Sequence, residues 1–413
     1  MENTYFIYAI QAYDAHLVPY SADVPVEYPP LAWWIIYTPR FLNSQHITQT
    51  SEIQPALRAY AVIFRGFMFS CDLASAVLLT LIVRRRNPEL LGWAMLTYTI
   101  CTAILAHLLY DRLDIALLAL MMGWGYCWLR AKENSSPAFV WSTAAYAVLG
   151  LSISFKLIPI ICVPFLVLSD WRTQQKVKRL SAGMVALVLT IGLPFLIQYA
   201  ISGPGVFAFL KYHGERGIQI ESLYSTLMMI GSLFGRPVFV VESHSAFDLE
   251  GSLAKLMTAL SNVLMYGFLA GTWLWAFFRR SAYGHEDAYR AACFVMVGAL
   301  ICSKVLSPQY FIWAIPLALL LAVDTLPARS ATPWLLAALL IIFAGLTTWL
   351  FPYHYTNMPD HTGLLPIGSP DSSVLQPLPC IVLGLRNVLY LGIVILLGLL
   401  LYRKVDRIEG VKG

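Results

Sequence analysis

The sequence predicts an all-α protein, a polytopic transmembrane helical bundle of eleven membrane helices, and three observations predict it. First, 58% of its residues are hydrophobic and 12% charged, with a mean hydropathy of +0.66. Soluble domains carry about 25% charged residues, so a chain of this composition has too few polar groups to cover itself in water. Second, the apolar residues fall in continuous runs rather than alternating with polar ones, which selects helices over a membrane barrel. Third, seventeen of the 28 Lys and Arg residues lie in six short clusters that border those runs. These are Arg84–Arg86, Arg130/Lys132, Arg172/Lys176/Lys178/Arg179, Arg279/Arg280/Arg290, Arg329 and Arg403/Lys404/Arg407/Lys412.

The candidate spans are 58–83, 90–109, 114–130, 137–153, 157–169, 182–200, 254–278, 288–303, 309–323, 332–350 and 381–402. At about 1.5 Å per residue the longer ones cross a bilayer. Runs 157–169 and 309–323 are short and contain Pro159, Pro164 and Pro316, with Pro308 just before the second. They predict broken or tilted helices beside a cavity. Run 223–235 is shorter still and reads as re-entrant or interfacial.

Alternating the spans brings every basic cluster to one face, the cytoplasmic one by the bias of Lys and Arg. That face holds 17 Lys/Arg and 8 Asp/Glu; the remainder holds 11 and 15. Residues 1–413 then form one integral membrane domain. Its outward parts are an N-terminal loop with an interfacial helix (1–57), a substrate loop (201–253) and a further loop (351–379). The net charge of +5 follows from the inner clusters and suits anionic lipid. It does not suit nucleic acid, because no basic stretch is interleaved with aromatics. The expected surroundings are a lipid bilayer, with a bacterial inner (plasma) membrane as the expected location.

Residues 1–57 hold one apolar stretch, LAWWIIYTP, too short to span, and no signal peptide. An outward N-terminus then means either that a tail of more than 50 residues is translocated unaided or that a first transmembrane helix lies ahead of Met1, and the expectation is the second, with the start site set too far downstream. The seven cysteines are scattered in apolar segments without metal-ligand spacing and read as packing residues. No cofactor is called for. Mg²⁺ or Mn²⁺ held by carboxylates would leave no spacing signature, so a divalent cation stays open at this level.

The outward loops carry the polar residues that chemistry needs. VEYPP (26–30) precedes Trp33, Trp34 and Tyr37, which suit an interfacial helix. Asp23 and Glu27 either face a membrane-level site or are solvated acids of a turn. YDRLD (110–114) offers Arg112 and Asp114, as surface anchors or as a phosphate-binding fork oriented by a carboxylate. Lys156 and Lys304 each end an apolar run ahead of a Pro-containing short helix. Such lysines snorkel, pair, or meet an anionic head group. YHGERGIQIES (212–222) gathers His213, Arg216, Gln219 and Glu221 between Tyr212 and Tyr224. It reads as a sugar-binding mixture of donors and acceptors or as a solvated loop. Gln309 and Tyr310 add neutral hydrogen-bonding groups. Arg65 and Asp72, seven residues apart on one helical face, suit a cavity or an internal pair and read as structural, in support of the outer site.

In this order the motifs resemble the polytopic glycosyltransferases of the GT-C fold, most closely the bacterial polyprenyl-phosphate-mannose-dependent alpha-mannosyltransferase group. The resemblance rests on Pro19-Tyr20 then Glu27-Tyr28-Pro29-Pro30-Leu31; Arg112 and Asp114; Phe155-Lys156; His213-x-x-Arg216-Gly217 and Glu221-Ser222; and Ser307-Pro308-Gln309-Tyr310. It implies transfer of a hexose, mannose by first expectation, from a polyprenyl-phosphate-sugar donor to a lipid-linked or glycan acceptor on the non-cytoplasmic face. The implied reaction is inverting, with a carboxylate as general base.

The resemblance also implies an Asp base at the end of a first transmembrane helix. Here that position falls at or before Met1, with Glu2 the nearest acid and Asp14, Asp23 and Glu27 the acids in view. The site expected from these residues has Asp23 or Glu27 as catalytic acids. Tyr28, Arg112, Asp114, Lys156, His213, Arg216, Glu221, Lys304, Gln309 and Tyr310 are expected to bind substrate, and no metal ligand is assigned. A transporter or flippase for a lipid-linked sugar, or a non-catalytic membrane subunit, is the alternative. A transporter would need polar groups at the midplane, whereas these lie towards one face.

Overall fold

Every apolar run named above forms helix in the computed structural model, which describes residues 2–43, 47, 49–133, 137–173, 176–236, 238–243, 246–278, 284–355, 359–360 and 374–409. Arg279, Arg280, Lys412 and most of the 351–379 loop lie outside the described residues, as do the side chains of Glu2, Arg403, Lys404 and Arg407. In chain order the helices are α1 (Glu2–Tyr13), α2 (Pro30–Leu42), α3 (Ile53–Arg86), α4 (Leu91–Ile104), α5 (Ala106–Leu109), α6 (Asp114–Arg130), α7 (Ala138–Phe155) and α8 (Val163–Trp171). They continue as α9 (Lys176–Ser202), α10 (Ala208–Glu215), α11 (Leu223–Ser232), α12 (Ala254–Phe278), α13 (Gly284–Cys302), α14 (Phe311–Thr325), α15 (Thr332–Thr348) and α16 (Pro377–Glu409). Among the described residues, seven helical segments are long and apolar enough to cross a membrane. Both short Pro-containing runs open with 3₁₀ turns, Ile158–Cys162 and Pro308–Tyr310, before becoming α-helical.

The chain divides into two compact units, residues 1–82 with 107–215 and residues 83–106 with 216–413. In the first, α7 packs between α6 and α9. A Cβ at Gly150 on α7 would lie 2.9 Å from the Leu187 carbonyl of α9, so the glycine lets the two backbones approach. Small residues at such crossings are how helices associate in lipid. One edge of α9 exposes Val185, Val188, Leu189, Leu193 and Leu196. A wholly apolar exposed face of this kind fits acyl chains. At the end of α6 away from Asp114, the buried Asp170 carboxylate accepts from Lys132 at 2.9 Å and from the Ser142 hydroxyl, and Arg179 lies 3.7 Å away.

The N-terminal region departs from expectation. Residues 2–13 form a helix although the sequence pattern singled out only the second stretch, which is α2. Aromatic contacts hold the pair in the unit: Tyr5 on Phe64, Phe6 on Tyr60 and Tyr13 on Tyr37. Trp33 is buried, and Trp34 Nε1 donates to Gln198 Oε1 at 3.1 Å, so α2 turns these two indoles into protein. Arg40, fully buried in α2, donates to Asp14 at 2.8 and 2.5 Å and to the Asn43 carbonyl. Arg65 and Asp72, expected to face a cavity or each other, both engage the 110–111 turn: Arg65 Nε donates to Asp111 at 2.8 Å, and the Tyr110 hydroxyl donates to Asp72 at 2.9 Å.

In the second unit α14 is buried on nearly every side, as a helix that is hydrophobic all round should be. At its C-terminal end Asp324 accepts from Arg86 at 2.7 and 3.0 Å, with Arg290 3.5 Å away. Each unit thus has a buried aspartate ringed by cations at one end of its helices. To this all-α bundle the 201–253 segment adds a small three-stranded antiparallel sheet of order β1–β3–β2 with β1 at Ile218–Gln219, β2 at Val238–Ser243 and β3 at Ala246–Gly251. Its inner face (Ile218, Val238, Leu249) packs on Tyr224 and Met228 of α11 and Leu383 of α16. β2 is rich in β-branched and aromatic residues, Val238, Phe239, Val240 and Val241, as strands are.

Candidate functional site

The nominated residues collect at one end of each unit, opposite the aspartate networks. In the first unit, Arg112 and Asp114 lie at the turn into α6 and are both buried. Lys156 caps the C-terminus of α7 and donates from Nζ to Asp114 Oδ1 at 2.7 Å. Each charge therefore sits at the helix end whose dipole favours it. Tyr5 of α1 and Tyr28 of the VEYPP loop join hydroxyls at 3.0 Å. Burial pushes the Tyr5 hydroxyl well above the ordinary tyrosine value. The Arg112 cation opposes that rise, and the Asp114 and Glu27 carboxylates add to it. Burial, and next the Glu27 charge, push Tyr8 up to about 12. The Glu27, Arg112 and Asp114 charges thus all act on Tyr5, and the Glu27 charge acts on Tyr8 as well.

A strained loop carries Glu27 and Tyr28. Tyr20 adopts φ +66, unfavourable for a bulky side chain. Its backbone N–H donates to the Val24 carbonyl at 2.9 Å and its hydroxyl to the Tyr28 carbonyl at 2.8 Å. Two prolines then start α2, which needs no N–H there. Asp23 lies exposed on the same loop, and Asp14 is engaged by Arg40, whereas Glu27 is half-buried and its charge acts on Tyr5 together with those of Arg112 and Asp114. Tyr5 and Tyr8 were missed by sequence reasoning, their spacing in an aromatic-rich segment giving no signal beyond packing; Tyr20 stood out only through the Pro19-Tyr20 motif.

In the second unit the cluster is built on the sheet. Lys304, in the turn between α13 and α14, donates from Nζ to the Arg216 carbonyl at 2.5 Å, and its own carbonyl accepts from Gln219 N at 3.0 Å. Burial lowers the Lys304 pKa; Asp248 opposes this and the Arg216 cation reinforces it. Beneath, Glu221 is buried. Its side chain accepts from Arg386 at 3.2 Å and from Gln219 Nε2 at 3.3 Å, and its carbonyl accepts from Arg386 at 2.7 Å. Asn387 donates to the Glu221 and Ser222 carbonyls and to Thr226. Gln309 is buried and accepts from the Ser307 hydroxyl at 3.0 Å; the Tyr310 ring lies 6.0 Å from that of Trp313.

Two nominated features behave differently from expectation. The run 212–222 is not one cluster: His213 is exposed on α10 of the first unit, its ring edge-on to Tyr212, while residues from Arg216 on belong to the second unit. Glu221 is held in a fully buried ion pair. Its partners, Arg386 and Asn387, were readable as a polar pair inside the apolar span 381–402, a sign of function or internal pairing. Among the described residues no group of three His, Cys, Asp or Glu side chains is arranged to hold a metal ion.

Comparison with solved structures finds similarity to ArnT from Cupriavidus metallidurans bound to undecaprenyl phosphate, at 16% identity and TM-score 0.48, covering 98% of this chain and 73% of that one. The apo state of the same protein matches at 17% identity and TM-score 0.40 with the same coverage. No curated protein matches the chain. The profile of Glycosyltransferase family 87 matches residues 28–308, from Tyr28 of the VEYPP loop to Pro308 beside Gln309. This match takes in 281 of the 413 residues, and the chain belongs to Glycosyltransferase family 87.

Proposed function

We propose that this membrane glycosyltransferase takes a hexose, mannose by preference, from a polyprenyl-phosphate-sugar and transfers it with inversion to a lipid-linked or glycan acceptor on the non-cytoplasmic side of a bacterial plasma membrane. The observation that carries the reading is the buried Lys156–Asp114 pair with buried Arg112 at the turn into α6, at the end of the bundle where the Arg112, Asp114 and Glu27 charges all act on Tyr5. A donor whose lipid stays in the bilayer must react at that depth.

Glu27 is the general base, taking the proton of the acceptor hydroxyl as its oxygen bonds to the sugar's anomeric carbon. The bond from that carbon to the phosphate oxygen breaks, and the electron pair leaves with the lipid phosphate. Arg112 and Lys156 meet that charge in surroundings that exclude water. Asp114 orients Lys156, and Tyr28 lines the approach. In the second unit Arg216 and Lys304 are anion-binding groups, with Gln309 and Tyr310 offering hydrogen bonds to a sugar. His213, exposed on α10, contributes at most to the rim.

The test uses the purified full chain in lipid nanodiscs with polyprenyl-phosphate-mannose, polyprenyl-phosphate-glucose and the corresponding nucleotide sugars, assayed for loss of donor and formation of polyprenyl phosphate. Turnover of a polyprenyl-phosphate-sugar, abolished in Glu27→Gln, is the expected result. Turnover of nucleotide sugars alone would sink the lipid-donor reading.

A further inference from the structure

Gln219 on β1 and Asp248 on β3 are directly opposite each other in the antiparallel register. Opposed residues share a face of the sheet with their Cβ atoms about 5 Å apart. Both side chains are buried, with 2% and 4% of their surface exposed. Each nevertheless keeps one acceptor oxygen, Gln219 Oε1 and Asp248 Oδ1, that takes no hydrogen bond from the protein. The other end of each group is fixed. Gln219 Nε2 donates to Glu221, and the Gly217 N–H donates to Asp248 Oδ2 at 3.2 Å. A Cβ at residue 217 would sit 3.0 Å from that oxygen, so glycine is what lets the backbone reach it. Buried acceptors without donors are uncommon and costly. Beside them stand two cations, Lys304 and Arg216, whose charges act on the same surroundings as Asp248.

We propose that Gln219 and Asp248 form a subsite for two hydroxyls of a sugar whose phosphate is held by Arg216 and Lys304; the ligand class is a glycosyl phosphate. This rests on the reading of the enzyme as one that uses phosphate-linked sugars and deepens it. Neither orphan oxygen suits a phosphate, which brings further acceptors. Both suit O–H donors, and a pyranose supplies several hydroxyls on one ring. Selectivity for a sugar over a bare phosphate follows, because a site with unfilled acceptors rejects a ligand that cannot fill them.

The experiment uses the full chain in nanodiscs and compares mannose 1-phosphate, glucose 1-phosphate, inorganic phosphate and polyprenyl phosphate by ligand-observed NMR titration. Asp248→Asn keeps a carbonyl for Gly217 and turns an amide N–H towards the orphan position, replacing an acceptor by a donor. It should weaken at least one hexose 1-phosphate about tenfold relative to inorganic phosphate, as expected for one lost hydrogen bond to a charged acceptor, since any change at Lys304 from the lost Asp248 charge falls on both ligands alike. Gln219→Met should act in the same direction without touching a charge, and thermal midpoints establish that both variants fold. Lys304→Met should weaken all phosphate ligands together. The subsite is overturned if wild type binds hexose 1-phosphates no better than phosphate, if Asp248→Asn and Gln219→Met change nothing, or if they weaken phosphate equally. Hexose 1-phosphate bound through Asp248 without binding of polyprenyl phosphate would keep the subsite and remove the lipid donor. Binding of polyprenyl phosphate with Asp248 indifferent to sugar would do the reverse.

Discussion

Asp114 and Lys156 join the first turn of α6 to the C-cap of α7 through one contact of 2.7 Å. The carboxylate is buried and the ammonium is one-fifth exposed. Removing the lysine therefore leaves the more buried charge alone. Lys156→Met should cost about 3 kcal/mol, as for a buried pair broken on one side, and Asp114→Asn in the same chain should restore much of it. Thermal unfolding of the two single variants and the double variant in detergent checks this. If the double variant is no more stable than Lys156→Met, the pair is not what joins the helix ends.

Glu27 and Asp23 are four residues apart on one loop, but Asp23 is exposed while Glu27 is half-buried and its charge acts on Tyr5 and Tyr8. Glu27→Gln should lower kcat by a factor of about 10²–10⁴, the usual contribution of a general base, with little change in donor KM. Asp23→Asn should leave both parameters unchanged. Equal losses in the two variants would argue that the loop, not the carboxylate, is what matters.

Lys304 gives the second unit a pH signature. Its folded pKa lies below the ordinary lysine value of 10.5 because burial disfavours the cation. Between that lowered value and 10.5 the unfolded chain binds more protons, so this group's contribution to stability improves as pH rises. Anion binding moves the other way, since it needs the charged form and fades as pH climbs through the lowered pKa. Inorganic phosphate affinity should therefore fall at a lower pH than for an ordinary lysine, and Lys304→Arg should flatten the profile. A wild-type profile as flat as the variant's would refute this.

Arg386 and Glu221 are fully buried in contact at 3.2 Å. Arg386→Met leaves the Glu221 charge uncompensated and should destabilise by about 3–5 kcal/mol, whereas Arg386→Met with Glu221→Gln should recover part of the loss. Arg386→Lys keeps the charge but not the fork that reaches both the carboxylate and the Glu221 carbonyl. It should fall between the two in thermal midpoint.

The helices were legible because burial in lipid demands unbroken apolar runs, and the breaks at Pro159 and Pro308 were legible because proline removes a donor. The turn residues Arg112, Asp114 and Lys156 stood out as charges bordering those runs, and the fold brings them together. Helix α1 was not legible: twelve residues without a strong apolar face are held by aromatic contacts from α2 and α3, which no local pattern encodes. Asp248 was hidden for a related reason. Its neighbours Gln219, Lys304 and Arg216 are brought to it by strand register and by the turn after α13, and register is a long-range property.

The cations ringing Asp170 and Asp324 lead two lives. During insertion, orientation is read from basic residues in short loops while the chain is still unpaired. At that stage Arg86, Lys132, Arg179 and Arg290 count as four unscreened charges. In the finished molecule each has a carboxylate within 4 Å, but two aspartates face four cations, so these carboxylates cancel about half of that charge. The aspartates act after the decision is made: they convert an address label into a rivet, and reversing the orientation of the folded protein would mean tearing out two buried carboxylates with their counter-ions.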